Sequence, residues 1–123
     1  MKHRHALLLA VSLLVVAQAA AAQDPVVVNP NSVHVTLENA RVRVLEALLS
    51  PGGKEQMHSH PATVVYVIAG GKVRNHFADG RVVESELVTG ATLYREPITH
   101  WAENIGTTPI HLTIVELKDS AKP

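Results

Sequence analysis

The sequence has 123 residues and no cysteine, with 11 lysines and arginines against 11 aspartates and glutamates. This length is typical of one compact domain and excludes two domains of ordinary size. The balanced charge excludes a basic field that would attract nucleic acid or anionic lipid, and without thiolates any metal must be bound by nitrogen or oxygen.

The N-terminus has the pattern of a secretory signal peptide. A basic head, Lys2 to His5, precedes an apolar run that ends in the small residues Ala20 and Ala22. The run is short for a bilayer span and contains Gln18, which disfavours a permanent membrane anchor. We expect residues 1–22 to be cleaved, the mature chain to be periplasmic or secreted, and no stable membrane insertion afterwards.

The mature chain divides into an arm at residues 23–32, a domain at residues 33–117 and a polar tail at residues 118–123. Two prolines and two asparagines surround an apolar triplet in the arm, which we interpret as an arm or an edge strand. In the domain, short β-branched runs alternate with Gly, Pro and Asn/Asp turns, a pattern typical of β-structure. The predicted class is therefore all-β, a sandwich or barrel. The predicted strands are Val33–Leu37, Arg41–Leu49, Lys54–His58, Thr63–Ala69, Lys72–Phe77, Arg81–Val88, Ala91–Arg95, His100–Asn104 and Ile110–Leu117.

Two histidines, His58 and His60, lie one residue apart at the start of an apolar run. Side chains two residues apart on a strand point to the same face, so the two imidazoles can meet at one metal ion. The same spacing also arises by chance on an exposed edge strand. Spacing alone leaves both interpretations open.

Around this pair the sequence resembles the cupins, whose first motif is G-x5-H-x-H-x3 or x4-E-x6-G. The matching residues are Gly52, His58, His60 and Gly71. At the three-residue spacing, Val64 stands where the motif has glutamate. The match therefore keeps the histidines of the motif and replaces its carboxylate.

The second cupin motif, G-x5-P-x-G-x2-H-x3-N, is matched more loosely by Gly90, His100 and Asn104, across a segment one residue shorter that lacks P-x-G. The resemblance covers residues 33–117. It implies a jelly-roll barrel, also called a double-stranded β-helix, with a metal in its mouth. The metal ligands that the resemblance implies are His58, His60 and His100.

Three neutral imidazoles leave the charge of a divalent ion uncompensated, which favours an anion or hydroxide at its open positions. Imidazole suits zinc, copper, iron and nickel. A chain that is exported unfolded acquires its metal outside the cytoplasm, where the order of ligand preference favours copper and zinc. We therefore rank Zn or Cu above Fe, Mn or Ni.

Other residues near the histidines are candidates for the site. Gln56 shares the strand parity of His58, so it is the predicted additional ligand. Glu55 and Glu103 have the opposite parity to the neighbouring ligands and are predicted to face away. The predicted pocket residues are Val64, Tyr66 and Trp101.

Three functions remain open on the sequence. The first is an exported metal-binding cupin that acts as an oxygenase or isomerase on a small molecule. The second is a non-catalytic metal or small-ligand binding module, and the third is a degenerate cupin without metal. The resemblance also implies a homodimer, to which Pro25–Val28 would add a strand. No side chain is assigned as catalytic.

Overall fold

The computed structural model describes residues 23–119. The predicted signal peptide, residues 1–22, lies outside this range, as do residues 120–123 of the tail. No helix within residues 23–119 is long and apolar enough to cross a bilayer. The elements are α1 (Pro25–Val28), β1 (Val33–Glu38), β2 (Val42–Leu49), β3 (His58–His60), β4 (Thr63–Ala69), β5 (Gly71–Phe77), β6 (Val82–Leu87), β7 (Thr92–Arg95), β8 (Ile98–Asn104) and β9 (Ile110–Leu117).

The strands form two antiparallel sheets. The five-stranded sheet has the order β1-β2-β9-β4-β7, and the four-stranded sheet has the order β3-β8-β5-β6. Neighbours in each sheet are mostly far apart in sequence, since β9 lies between β2 and β4 and β8 lies between β3 and β5. The all-β prediction is confirmed as a two-sheet jelly roll.

Two clusters of buried side chains fill the space between the sheets. One cluster joins both sheets and consists of Val67, Val73, Leu87, Ala102 and Ile110. The other lies mainly on the five-stranded sheet and consists of Val33, Leu45, Val65 and Ile114. Strand alternation explains the pattern, because only every second side chain faces the interior.

A tight turn at Phe77–Arg81 joins β5 to β6 in a hairpin. Gly80 has a φ of +91°, and its N–H donates to the Phe77 carbonyl at 2.9 Å. This left-handed conformation favours glycine. Gly70 is required for another reason, because a Cβ there would lie 1.8 Å from the carbonyl oxygen of Leu87.

The predicted strand Lys54–His58 is wrong, because β3 begins only at His58. Lys54 pairs with Glu103 in an isolated bridge, whereas His58 pairs with His100. Lys54 and His58 are four residues apart, whereas their partners Glu103 and His100 are three residues apart. The segment before β3 therefore contains one extra residue. Such an irregularity reverses the alternation of side chains upstream of it.

Of the two interpretations of residues 23–32, the edge strand is wrong, since the segment contains a helical turn. Asp24 is the N-cap and accepts the Val26 N–H at 2.9 Å, while Pro25 supplies the backbone angle of the first turn. These local contacts outweigh the β preference of the valine triplet. Pro25 and Asn29 are buried, so the segment packs on its own domain and is not free to add a strand to a partner.

Candidate metal centre

Three imidazoles meet on the inner face of the four-stranded sheet. His58 and His60 lie two residues apart on β3, and His58 is the direct cross-strand partner of His100 on β8. The His58 ring centroid lies 4.8 Å from those of both other rings. One ring nitrogen of each histidine lies within 4.8 Å of the other two, and all three side chains are buried.

Each imidazole donates its Nδ1 hydrogen to an acceptor of the protein. The pairs are His58 with the Gln56 carbonyl at 2.8 Å, His60 with the Glu116 carboxylate at 2.7 Å, and His100 with the Asn75 amide oxygen at 2.9 Å. A neutral imidazole that carries its proton on Nδ1 leaves the Nε2 lone pair available. The outer contacts therefore present three Nε2 atoms as ligands.

The N-terminal segment holds the hydrogen-bond acceptors of two of these rings in place. Asn29 donates to the Gln56 carbonyl at 3.3 Å and accepts the Gln56 N–H at 2.7 Å. Arg43 joins Glu116 to Asp24, with nitrogen-to-oxygen distances of 2.6 and 2.8 Å. Residues before the barrel thus position both members of the histidine pair.

Burial controls the protonation of the centre. It lowers the pKa of His58 to about 4 and that of His100 to about 3, and neighbouring histidines add to both shifts. Burial would raise the pKa of Glu116, but hydrogen bonds from His60 and Arg43 outweigh it and lower that pKa. At neutral pH His58 and His100 are therefore neutral and the outer Glu116 carboxylate is ionised, and a neutral imidazole is the form that binds a metal.

Glu55 faces the site, so the prediction that it points away is wrong. Its carboxylate lies 3.9 Å from Nε2 of His58 and accepts the Ala102 N–H at 3.0 Å. The extra residue before β3 causes the reversal. Burial raises the pKa of Glu55 to about 7, although the Ala102 hydrogen bond and the charge of Arg95 act in the other direction.

The other glutamate of that prediction does face away. Glu103 lies on the outer face of β8, where it pairs with Lys54, Arg74 and His76. The predicted additional ligand, Gln56, has an exposed side chain and contributes its main chain instead.

The pocket prediction for Val64, Tyr66 and Trp101 is wrong, because all three belong to outer faces. On β4 the buried positions are Thr63, Val65 and Val67, so Val64 and Tyr66 have the opposite parity, and Tyr66 is 48% exposed. Trp101 stacks on His76 with the ring centroids 3.6 Å apart. The three side chains therefore lie on the outer surface of the barrel.

The inward position for the motif glutamate is Val65 rather than Val64. The first cupin motif also allows four residues after the second histidine, and this spacing reaches Val65, which is 1% exposed. An apolar side chain thus occupies the interior position where the motif has its carboxylate.

The imidazoles open on a cavity between the sheets. The space that the centres of water molecules can occupy is about 50 Å³, which corresponds to about four water positions. Apolar side chains of both core clusters form much of the wall. The charged or amide side chains in the lining, besides the three histidines, are Glu55, Asn75 and Arg95.

Sequence reasoning missed three residues of the site, namely Asn75, Arg95 and Glu116. Glu116 follows Ile114 by two residues on β9, and Arg95 follows Leu93 by two on β7. A charged residue at a position that continues the inward-facing alternation of a strand can be recognised from the sequence. The partners of these charges lie on other strands, so their roles require the tertiary structure.

The donor set fits a divalent transition metal. Nitrogens about 2 Å from one tetrahedral ion lie about 3.3 Å apart, so the widest separation present here would close by about 1.5 Å on binding. Three imidazoles whose Nδ1 atoms are engaged suit zinc, copper, iron and nickel. Glu55 is placed to contribute one negative charge beside them.

We expect the metal-free protein to lose stability as the pH falls from 6.5 to 4.5. In this window the unfolded chain protonates His58 and His100 while the folded chain keeps both neutral, so acidification favours unfolding. Glu55 opposes the trend with one group, because its folded pKa lies above its unfolded value of 4.5. The two histidines together outweigh Glu55, so the free energy of unfolding should fall by about 1–3 kcal/mol over this window.

Urea unfolding at several pH values measures this loss. The Glu55→Gln variant removes the opposing group, so its stability should fall more steeply over the same window. A free energy of unfolding that stays constant or rises on acidification contradicts the assignment.

Comparisons with solved structures agree with the two-sheet architecture. A cupin domain from Bordetella pertussis Tohama I superposes with a TM-score of 0.64 at 30% sequence identity, covering 70% of this chain and 91% of that one. An RmlC-like cupin with a double-stranded β-helix fold from Methanocaldococcus jannaschii gives 0.57 at 15% identity, covering 69% and 77%. A cupin-like protein from Thermotoga maritima gives 0.55 at 18% identity, covering 74% and 71%.

Neither a scan against protein-family models nor a comparison with curated proteins gives a match. The Bordetella domain shares 30% of its aligned residues with this chain over nearly its whole length. The two lower-identity structures share the fold. The chain therefore belongs to the cupin superfamily.

Proposed function

We propose that this protein binds one divalent metal ion through Nε2 of His58, His60 and His100 and acts with it on a small molecule. The observation that carries the proposal is the convergence of three buried imidazole rings whose Nδ1 atoms are already engaged. The cavity beside them leaves room for a ligand. A bound metal supplies Lewis acidity, which suits oxygenation or isomerisation of a small substrate.

Glu55 is the fourth ligand in this proposal. Its carboxylate lies 3.9 Å from Nε2 of His58, and it offers the negative charge that Val65 does not provide. A carboxylate beside three imidazoles removes one unit of the ion's charge, which favours retention of a divalent metal. Near its pKa of about 7, the group is also poised to ionise when a cation binds.

Glu55→Gln is expected to weaken zinc affinity by at least roughly tenfold, because the loss of a ligand costs no less than the loss of a supporting group of a metal site. Glutamine still accepts the Ala102 N–H but brings no charge. Glu103→Gln is the matched control, because Glu103 lies on the outer face of the neighbouring strand. Competition titration with a chromophoric chelator measures both, and equal affinities in the two variants would remove Glu55 from the ligand set.

Metal analysis of the purified protein tests the function directly. We expect about one equivalent of zinc or copper in protein recovered from the exported fraction, and saturable binding of one Co(II) with a ligand-field spectrum typical of nitrogen and oxygen donors. Absence of stoichiometric metal together with no saturable Co(II) binding would reject the proposal. Iron, manganese or nickel in that position would correct the proposed metal and keep the site.

Export and cleavage after residue 22 belong to the same proposal. Gln23 is anchored to β3, since its carbonyl accepts the Ser59 N–H and its side-chain oxygen accepts the Ser59 hydroxyl, both at 2.8 Å. A new terminus at Gln23 would therefore retain its contacts with the site. N-terminal sequencing of the periplasmic or secreted protein should begin at Gln23, and a full-length N-terminus there would contradict cleavage.

A binding module without catalysis is the second candidate, and the position of Glu55 favours it. Four protein ligands close a tetrahedral site, which is the arrangement of structural rather than catalytic zinc. The number of metal-bound waters in the Co(II) protein separates the two functions. At least one exchangeable water supports action on a small molecule, whereas none supports the binding module.

A homodimer remains part of the proposal, supported by the outer face of the five-stranded sheet. One apolar side chain from each strand aligns there across the sheet, in the order Leu37, Val44, Val115, Val64 and Tyr94. Leu37 and Tyr94, at the two ends, are 49% and 60% exposed. Sedimentation equilibrium of the metal-free and metal-loaded protein measures the mass in solution, and a monomer at all concentrations would contradict the dimer.

A further inference from the structure

Arg95 brings a positive charge into the cavity from the sheet opposite the histidines. It is the last residue of β7, at the edge of the five-stranded sheet, and pairs across the ladder with the buried Thr63. The preceding residue, Tyr94, faces outward and is 60% exposed. Strand alternation therefore turns Arg95 inward, where it lines the same cavity as His100.

The other arginines of the described chain are either paired or open to solvent. Arg43, Arg74 and Arg81 each contact a carboxylate at 2.6–2.8 Å, and the side chain of Arg41 is exposed. The side chain of Arg95 is only partly exposed, and its guanidinium forms no hydrogen bond or ion pair with any residue from 23 to 119. A partly buried guanidinium without an anion is costly, because its desolvation is not compensated by charge-assisted hydrogen bonds.

Glu55 does not neutralise this cation. The negative charge of Glu55 acts on Arg95. No oxygen of Glu55 lies within ion-pairing distance of the guanidinium, because the two oxygens face Ala102 and His58. Burial accordingly lowers the pKa of Arg95 despite the influence of Glu55. In the proposed function Glu55 is committed to the metal, which leaves the guanidinium available to a ligand.

We propose that the cavity binds a short-chain carboxylate whose two oxygens are held by the Arg95 guanidinium, so that the small molecule of the proposed function is a small carboxylic acid. The planar fork of arginine matches a carboxylate with two parallel N–H···O bonds. The cavity offers about four water positions, which limits the enclosed part of the ligand to a few non-hydrogen atoms. The ligand would reach from Arg95 on one sheet towards the imidazoles on the other.

The carboxylate is a substrate only if the proposed function holds, and in that respect the inference rests on the proposed function. Binding of the carboxylate can be tested without metal. Metal-free protein in a carboxylate-free buffer is titrated with acetate and, separately, with the neutral isostere acetamide, and the backbone amides of the cavity are followed by NMR. We expect saturable shifts with acetate and at least tenfold weaker binding of acetamide. Equal binding of the two, or no binding of acetate, would overturn the inference.

Two variants identify the anion-binding group. Arg95→Met should reduce acetate affinity at least tenfold, and Arg95→Lys should retain an intermediate affinity because it keeps the charge without the fork. Arg41→Met is the matched control and should bind acetate like the wild type. Unchanged acetate binding in Arg95→Met would overturn the assignment, and if that variant does not fold, the Arg95→Lys result and the acetate to acetamide ratio decide it.

Metal content distinguishes the two proposals. Arg95→Met should still bind one equivalent of Co(II), because its side chain is not among the ligands. Wild-type protein that binds Co(II) but not acetate would reject the carboxylate site and keep the metal site. Protein that discriminates acetate from acetamide but binds no metal would reject the proposed function and keep the anion site.

Discussion

Replacement of His100 by alanine is expected to abolish tight metal binding while the barrel remains folded. The variant removes one of three nitrogen ligands, so zinc affinity should fall by more than roughly a hundredfold, beyond the loss typical of a supporting group. Zinc at a hundred times its Kd should raise the free energy of unfolding of the wild type by about 2.7 kcal/mol. The variant should show no such increase at the same zinc concentration.

The structure also predicts a smaller cost for the metal-free variant. Without the ring, the partly buried Asn75 amide oxygen loses its donor, and the net contribution of such a hydrogen bond is about 0.5–1.5 kcal/mol. His34→Ala is the control, because His34 is an exposed histidine on the edge strand β1. Wild-type zinc affinity in the His100→Ala protein would refute the three-histidine centre, whatever the element bound in the cell.

Replacement of Arg43 by methionine is expected to destabilise the metal-free protein by about 3–5 kcal/mol, the range found when one partner of a buried ion pair is removed. Arg43 donates to Glu116 and Asp24 at 2.6 and 2.8 Å. Glu116 is 2% exposed, so its carboxylate would remain buried with only His60 as a partner. The cost comes from the uncompensated charge, since methionine keeps much of the apolar volume of the arginine stem.

Arg74→Met is the matched control for this prediction. Arg74 also forms ion pairs from a strand, but they lie on the outer face of the sheet, with the exposed Glu84 at 2.6 Å and with Glu103 at 3.2 Å. Solvent-exposed ion pairs contribute little to stability, so the free energy of unfolding of the control should change little. Urea unfolding of both variants at pH 7.5 measures the difference, and equal losses would show that the burial of Glu116 is not what makes Arg43 important.

The network around Arg43 links the metal centre to the beginning of the described chain. His60, Glu116, Arg43 and Asp24 form a continuous series of hydrogen bonds that ends at the cap of α1. At the other end of that turn, Asn29 holds the Gln56 main chain that accepts from His58. Residues from Asp24 to Glu116 thus contribute to one site, and the site forms only when both sheets and the N-terminal segment are assembled.

Local patterns in the sequence carry much of the architecture. Period-two alternation and turn residues predict β4 and β9 with the bounds that the structure has, and the Phe77–Arg81 hairpin follows from its Asp-Gly turn. The His-x-His spacing indicates that His58 and His60 share a face. These features depend on contacts between residues that are close in the chain, which is why sequence alone determines them.

Parity arguments fail where the alternation is interrupted or its phase is ambiguous. One extra residue between Lys54 and His58 turns Glu55 towards the cavity, and a shift of one position on β4 puts Val65 inside and Val64 outside. A single residue reverses every side chain upstream of it. The sequence contains no signal that places such an irregularity to within one residue.

By itself the sequence determined an all-β domain, most of its strands and the pair of histidines at its centre. The tertiary structure alone decided which distant charges meet them, because Glu116 and Arg95 reach the site on strands of the opposite sheet. The partners of a buried charge are set by sheet packing between residues far apart in the chain. Periodicity within one strand carries no information about that packing.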